Sequence, residues 1–112
     1  MKLYFYELVT RSYNKGSKTI YCTECEAEEK PKTYVPIKGK CFPDYSRRLL
    51  KDDIGCLIGF DSNIVAFTEP SFERAKEKFR VREIGRIKAA KENISKMEEL
   101  LKAIEESEDG ND

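Results

Sequence analysis

Residues 64–107 read IVAFTEPSFERAKEKFRVREIGRIKAAKENISKMEELLKAIEES, and this stretch carries the change from strand to helix that decides the fold. Its first four residues, Ile64–Phe67, form a short apolar run that is typical of a strand. Thr68 can cap a helix, and Pro70 suits a first helical turn because it has no N–H to leave unsatisfied. No proline follows before Ser107. The stretch therefore predicts a last strand that leads directly into a long helix.

This helical tail is expected over residues 70–107, with a disordered acidic end at residues 108–112. At 1.5 Å per residue, about 36 residues make a helix of roughly 54 Å. A body of about 70 residues has a diameter of only some 30 Å. The residues expected on the body-facing side of the helix are Phe72, Ala75 and Phe79. Because the apolar pattern changes phase around Gly85, we expect a kink, or a break into a helical hairpin, at residues 81–86.

Beyond Gly85, apolar residues recur every seven positions, which is the pattern of a coiled coil. The two heptad series are Ile87, Ile94 and Leu101, and Ala90, Met97 and Ile104. A helix longer than its own body leaves this stripe without an intramolecular partner. The heptads therefore predict that the tail oligomerises, as a dimer or a larger homo-oligomer, through Ile87, Ile94, Met97, Leu101 and Ile104.

Residues 1–69 are expected to form a small β core. The predicted strands are residues 2–13, 19–23, 32–38, 56–60 and 64–67, separated by the turns 14–17 and 61–63 and by a loop or single helical turn at 39–53. Pro36 predicts an edge position or a break in the third strand. Since every connection is short, the strands are expected to follow one another as a meander. The fold class is therefore α+β: a small, mostly antiparallel sheet or barrel followed by a long C-terminal helix or helical hairpin that oligomerises.

Composition excludes several classes of function. The chain has 112 residues with no histidine, so catalytic dyads and triads that use histidine are excluded. Its serines have no general base nearby in sequence, and no glycine-rich phosphate loop is present. No run approaches the roughly 18 apolar residues of a membrane span. We expect a non-enzymatic protein that does not engage a membrane and needs no cofactor.

Net charge is zero over the whole chain but uneven along it. Residues 74–91 carry eight basic and two acidic side chains, a net charge of +6, whereas residues 92–112 carry two basic and eight acidic, a net charge of −6. Like charges four residues apart weaken an isolated helix, so an anionic ligand, a nucleic acid or an acidic partner segment is expected to offset the basic block. Overall neutrality disfavours nucleic acid, which requires a broad basic surface.

The predicted ligand-binding residues are Arg47, Arg48, Phe67, Arg82 and Arg86. Arginine binds phosphate through two parallel hydrogen bonds, and the last two of these arginines lie four residues apart, on one side of the helix. Phe67 is expected either to stack on a base or to lie in the core, and the sequence leaves both open. Such a set at a subunit boundary would suit a small nucleotide with two phosphates.

The four cysteines and the acidic cluster are given structural roles. Cys22 and Cys25 lie three apart in a strand-like run, so their side chains point to opposite faces. We therefore expect reduced, partly buried thiols rather than a zinc site. Alternation places Glu24, Glu26 and Glu28 on one solvent face. No metal site is predicted.

Four short motifs carry a resemblance to phage and prophage proteins that have a β core and C-terminal helices: Tyr4–Glu7, Glu29–Tyr34, Asp52–Gly55 and Glu69–Lys76. Among these proteins the chain most resembles the anti-Thoeris nucleotide sponges. Those phage proteins assemble as oligomers and sequester cyclic ADP-ribose signals with helix arginines spaced by four and an aromatic from the core.

The resemblance implies a counter-defence protein that acts in the host cytoplasm by stoichiometric sequestration, without catalysis. Arg82 and Arg86 match the arginine spacing, and Phe67 is the counterpart of the aromatic. The alternative, from a different class, is an interaction or inhibitor protein whose charged helical tail docks onto a host or phage protein.

Overall fold

The computed structural model describes residues 1–9 and 19–109 and shows an antiparallel sheet followed by one helix, which confirms the predicted α+β class. Within these residues the elements are β1 (Lys2–Leu8), β2 (Ile20–Glu29), β3 (Thr33–Pro36), β4 (Leu49–Leu50), β5 (Leu57–Ile58), β6 (Ile64–Phe67) and α1 (Phe72–Glu106). Single 3-10 turns lie at Pro43–Tyr45, Lys51–Asp53 and Phe60–Ser62. The predicted turn at 14–17 and the predicted end of the first strand at residue 13 lie outside the described residues.

The strand order is β4-β3-β2-β1-β6-β5, and the sheet curls into a half-barrel. The predicted meander is wrong, because β6 returns to pair with β1, with Tyr4 opposite Phe67 and Glu7 opposite Ile64. The described residues also contain a strand that was not predicted, the two-residue β4, paired with β3. β1 and β6 carry apolar side chains on both faces, so a central position with neighbours on both edges buries more of their surface than an edge position.

Alternation along β1 and β6 builds two hydrophobic clusters, one on each face of the sheet. The first cluster contains Leu3, Phe5, Ala27, Tyr34, Phe42, Leu49, Ile64 and Ala66. The second contains Tyr6, Val65, Phe67, Ala75 and Phe79, so the first turns of α1 cover that face.

β2 extends farther than the sequence predicts, through the acidic residues to Glu29. It is held between β1 and β3, and its Ala27 is buried while Glu24, Glu26 and Glu28 are exposed, as alternation predicts. Each of these carboxylates lies 3.4–3.8 Å from an amino group, so the acidic face is paired and solvated. Pro36 ends β3 beyond the two residues that pair with β4, where its missing N–H costs no bond to that strand.

The helix begins at Phe72, two residues after Pro70, so Pro70 precedes the helix instead of lying in its first turn. The backbone N–H of Ser71 donates a hydrogen bond to the Tyr6 hydroxyl at 2.9 Å, and the Ser71 carbonyl accepts from the Ala75 N–H at 3.0 Å. Tyr6 is buried in the body, so this bond fixes where the helix starts. Ala75 and Phe79 are buried as expected, whereas Phe72 is about half exposed and is not a core residue.

Of the two predicted forms of the tail, the long helix is confirmed and the hairpin broken at residues 81–86 is wrong, because α1 is one helix from Phe72 to Glu106. A single glycine costs a helix only about 1 kcal/mol relative to alanine, and Gly85 has good helix formers on either side. The chain divides into two compact units, Met1–Phe79 and Arg80–Asp112, called here the body unit and the distal unit. The division falls later than residue 69 because the first turns of α1 pack on the sheet.

Candidate functional site

The strongest candidate surface is an apolar stripe along the distal unit. It consists of the five residues predicted to oligomerise, Ile87, Ile94, Met97, Leu101 and Ile104, which we call the seam. Each seam side chain is 51–61 % exposed. They recur at heptad spacing on one continuous helix, so they form a single stripe rather than scattered apolar residues.

Little of α1 is used inside the chain. Among its 35 residues only Ala75 and Phe79 are buried as whole residues, and both lie in the body unit; in the distal unit the side chain of Arg82 is 5 % exposed. Soluble monomers seldom expose a contiguous apolar patch of this kind without a binding role. Leu100 and Ile84 flank the seam and are also about half exposed or more. The arrangement is therefore chemically suited to pack against another apolar helix face.

The predicted arginines fall into two groups. Arg47 and Arg48 are exposed in the body unit, in the segment between the turn at Pro43–Tyr45 and β4. Arg82 and Arg86 are one turn apart on α1 and belong to the distal unit. The Arg82 side chain is only 5 % exposed and forms an ion pair with Glu83. Arg82 and Arg86 both have interaction partners within the chain.

Phe67 is corrected from a ligand-stacking residue to a core residue. It is 1 % exposed, between the sheet and the first turns of the helix. The Arg74 guanidinium lies 4.7 Å from the centroid of its ring, and the Tyr6 ring meets it edge-on at 6.0 Å. A base has no open face of this ring to stack on. The Arg74–Phe67 pair is instead a cation–π contact that fastens the start of the helix to the sheet.

The loops of the body unit enclose a cavity of about 260 Å³. Phe5, Phe42 and Leu49 line its apolar side, and its charged lining residues are Asp44, Asp53 and Arg48. Two carboxylates against one guanidinium give a lining that does not favour a diphosphate. A small-molecule site has a volume of roughly 300–1,000 Å³, so this cavity alone is also small for a nucleotide.

Two aromatic side chains next to this cavity are almost fully exposed: Tyr45 at 90 % and Phe60 at 86 %. Their neighbours Asp44, Ser46 and Gly59 line the cavity. Tyr45 and Asp44 have positive φ, which non-glycine residues seldom adopt. Tyr45 lies two residues before the Arg47–Arg48 pair. Phe60 was not predicted as a surface residue, because it lies in a short turn that carries no recognisable motif.

The cysteines do not form a reactive or metal-binding group within the described residues. Cys22, Cys41 and Cys56 are exposed and Cys25 is half-buried, and all four are free thiols. Burial, and secondarily the neighbouring Cys22, raises the pKa of Cys25, which keeps that thiol protonated and poorly nucleophilic. Residues 1–9 and 19–109 contain no group of three or more side chains that could hold a metal ion.

In the part of the chain that the structure describes, no helix combines the length and the apolarity required to cross a membrane. No protein-family model, curated protein or solved structure matches this chain.

Proposed function

We propose that this protein is a non-catalytic interaction protein that assembles with a second copy of itself through the seam. The observation that carries this proposal is the exposure of all five seam residues, at heptad spacing, on an uninterrupted helix. Burying the exposed half of each seam side chain contributes about 1 kcal/mol per residue, from the 1.5–3 kcal/mol of a fully buried aliphatic side chain. Five residues on each of two chains give a gross contribution of about 10 kcal/mol.

Association also has a cost, because the two chains lose translational and rotational freedom. This cost is an estimated 4–15 kcal/mol and opposes the gain from burial. At the low end of that cost the net gain is about 6 kcal/mol, which corresponds to a dissociation constant of about 40 μM, so the seam supports a weak complex that exchanges at tens of micromolar. Reversible assembly of this kind suits a protein that presents copies of its body unit together. The loop aromatics Tyr45 and Phe60 would then be displayed more than once on each assembly.

The test is sedimentation equilibrium of the full chain, comparing the original sequence with Leu101→Asp and Ala103→Asp. Leu101 belongs to the seam, whereas Ala103 is exposed two positions along the same helix and outside the heptad series. We expect the first substitution to raise the dissociation constant more than 100-fold, because it places a charge in an apolar contact. The second introduces the same side chain and is expected to change it less than threefold. A monomer at all concentrations, or equal effects of the two substitutions, would refute the proposal.

A second candidate function is the sequestration of a small phosphorylated nucleotide, as the resemblance to the anti-Thoeris sponges implies. It is supported by Arg86, which is exposed within the basic block of an unbroken helix, whereas the Arg82 side chain one turn earlier is only 5 % exposed. Thermal-shift measurements with cyclic ADP-ribose isomers and with linear nucleotides test it. Sequestration predicts a rise of several degrees with one cyclic class, recovery of that ligand intact, and loss of the shift in Arg86→Glu. No shift with any of these nucleotides would eliminate this candidate and leave the interaction protein.

A further inference from the structure

We infer that the second copy packs on the seam in the antiparallel direction, with Ile94 of one chain facing Met97 of the other. This inference rests on the self-association proposed above and specifies its geometry. Three features of α1 favour it: the sizes of the residues in the two heptad series, the charges that flank them, and the distribution of charge along the helix.

The two heptad series consist of the seam residues and Ala90, and they complement one another in size better when the helices run in opposite directions. In an antiparallel pair, a position of the first heptad series faces a position of the second series, and three layers then align together. These layers are Ile87 with Ile104, Ala90 with Leu101, and Ile94 with Met97. All three belong to one register, because the residue numbers in each layer have the same sum, 191.

A parallel pair in register would stack each residue on its own counterpart. Ala90 would then face Ala90 and leave a void between two methyl groups, while the larger residues stack elsewhere. Voids in an apolar interface lose dispersion contacts and cost stability in proportion to their volume. Facing Ala90 with Leu101 fills that layer, since cores pack best when large and small side chains alternate across them.

The charged residues that flank the heptad positions also favour the antiparallel direction. Residues 91 and 98 each directly follow a member of the second heptad series, Ala90 and Met97. In an antiparallel pair, such positions of the two helices lie beside one another. Lys91 therefore lies beside Glu98 of the second copy, and symmetry repeats this attraction once. A parallel pair instead brings Arg86 next to Lys91 of the second copy, and this repulsion also occurs twice.

The opposite net charges of the two parts of the helix also favour the antiparallel direction, over a longer range. Residues 74–91 carry a net charge of +6 and residues 92–112 carry −6. Antiparallel helices place the basic part of one chain against the acidic part of the other, whereas parallel helices place like against like. Charges of opposite sign across an interface favour the matching orientation and speed association.

Charge reversal at Lys91 distinguishes the two orientations, because it raises the dissociation constant of an antiparallel pair and lowers that of a parallel pair. In the antiparallel pair Lys91→Glu turns two attractions into two repulsions, so the dissociation constant rises roughly tenfold. In the parallel pair the same change removes two repulsions and tightens the complex. Adding Glu98→Lys restores the affinity in the antiparallel case. Lys88→Glu alters net charge equally at a position that faces away from the seam and serves as the control, with less than a threefold change expected.

Disulfide cross-linking gives a readout that does not depend on affinity. In a background without native cysteines, Ile87→Cys and Ile104→Cys chains are oxidised separately and then as a mixture. The two positions are 17 residues apart, about 26 Å along the helix, far beyond the ~7 Å between Cα atoms that a disulfide spans. The antiparallel pair cross-links only in the mixture, between the two different variants. A parallel pair cross-links in each separate sample and, in the mixture, only between identical variants.

The failures of the two proposals are distinguishable. If the original chain sediments as a monomer, self-association itself is refuted, and the orientation with it. If the chain is a dimer but Lys91→Glu tightens it and the separate samples cross-link, only the antiparallel orientation is refuted. An assembly larger than a dimer overturns the two-helix arrangement.

Discussion

The contact between Tyr6 and Ser71 gives a prediction with a magnitude that follows from the structure. Tyr6 is 3 % exposed, and its hydroxyl accepts the Ser71 N–H at 2.9 Å just before the helix begins. Tyr6→Phe keeps the ring, which lies 6.0 Å from Phe67 and 6.4 Å from Phe72, and removes only the acceptor. A partly buried N–H left without an acceptor costs about 1–2 kcal/mol. We expect that loss in the free energy of unfolding and a fall of roughly 4–8 °C in Tm.

The dependence on pH adds a second test of the same residue. Burial raises the pKa of Tyr6, so the neutral phenol stabilises the fold below the unfolded value of about 10. That stabilisation is lost as pH rises through the higher folded-state pKa. The free-energy difference between the original chain and Tyr6→Phe is therefore expected to be constant between pH 7 and 9 and to shrink above pH 10.

The assay is urea unfolding at matched protein concentrations, because self-association would add to the apparent stability. Tyr45→Phe is the control, since Tyr45 is 90 % exposed and its substitution is expected to stay within about 0.5 kcal/mol. Amide hydrogen exchange provides a local readout, with faster exchange at Ser71 in Tyr6→Phe. A loss no larger than that of the control, with unchanged exchange at Ser71, would show that this hydrogen bond does not fix the start of the helix.

Three further substitutions test the fold by urea unfolding. Gly59→Ala is expected to destabilise by about 1–2 kcal/mol, since φ is +83° and the new Cβ would lie 3.1 Å from Ile64 Cδ1; no loss would contradict that backbone conformation. Gly85→Ala should stabilise by about 0.5–1 kcal/mol, because the site is helical and open, and a destabilisation would argue against a continuous helix. Phe79→Ala should cost about 3–4 kcal/mol by removing a buried ring, and a cost below 1 kcal/mol would contradict its place in the core.

Much of the candidate surface can be predicted from sequence, because heptad spacing converts directly into a stripe on a helix. Ile87, Ile94 and Leu101 share a face wherever the helix is placed, because residues seven apart lie on the same side of a helix. The loop residues could not be predicted in this way. Tyr45 and Phe60 lie next to one cavity only because separate loops meet there, and no sequence spacing encodes that meeting.

Phe67 shows why a pattern that identifies an element can still misassign a residue. The run Ile64–Phe67 predicts a strand, and the structure confirms it. Whether its last residue faces a ligand or the core depends on what covers that face of the sheet. The first turns of α1 and the Arg74 side chain cover it, and these contacts form only after the strand and the helix have packed together.

The sequence by itself determined the local elements of this protein: the hairpin of β1 and β2, the strand Ile64–Phe67, the long helix and its apolar stripe. Each follows from residue periodicity and turn chemistry, which act between neighbours in the chain. Only the tertiary structure decided that β6 pairs with β1, that α1 passes Gly85 unbroken, and that Phe67 is buried. Those outcomes depend on which distant surfaces bury the most apolar area together, and that competition involves the whole chain at once.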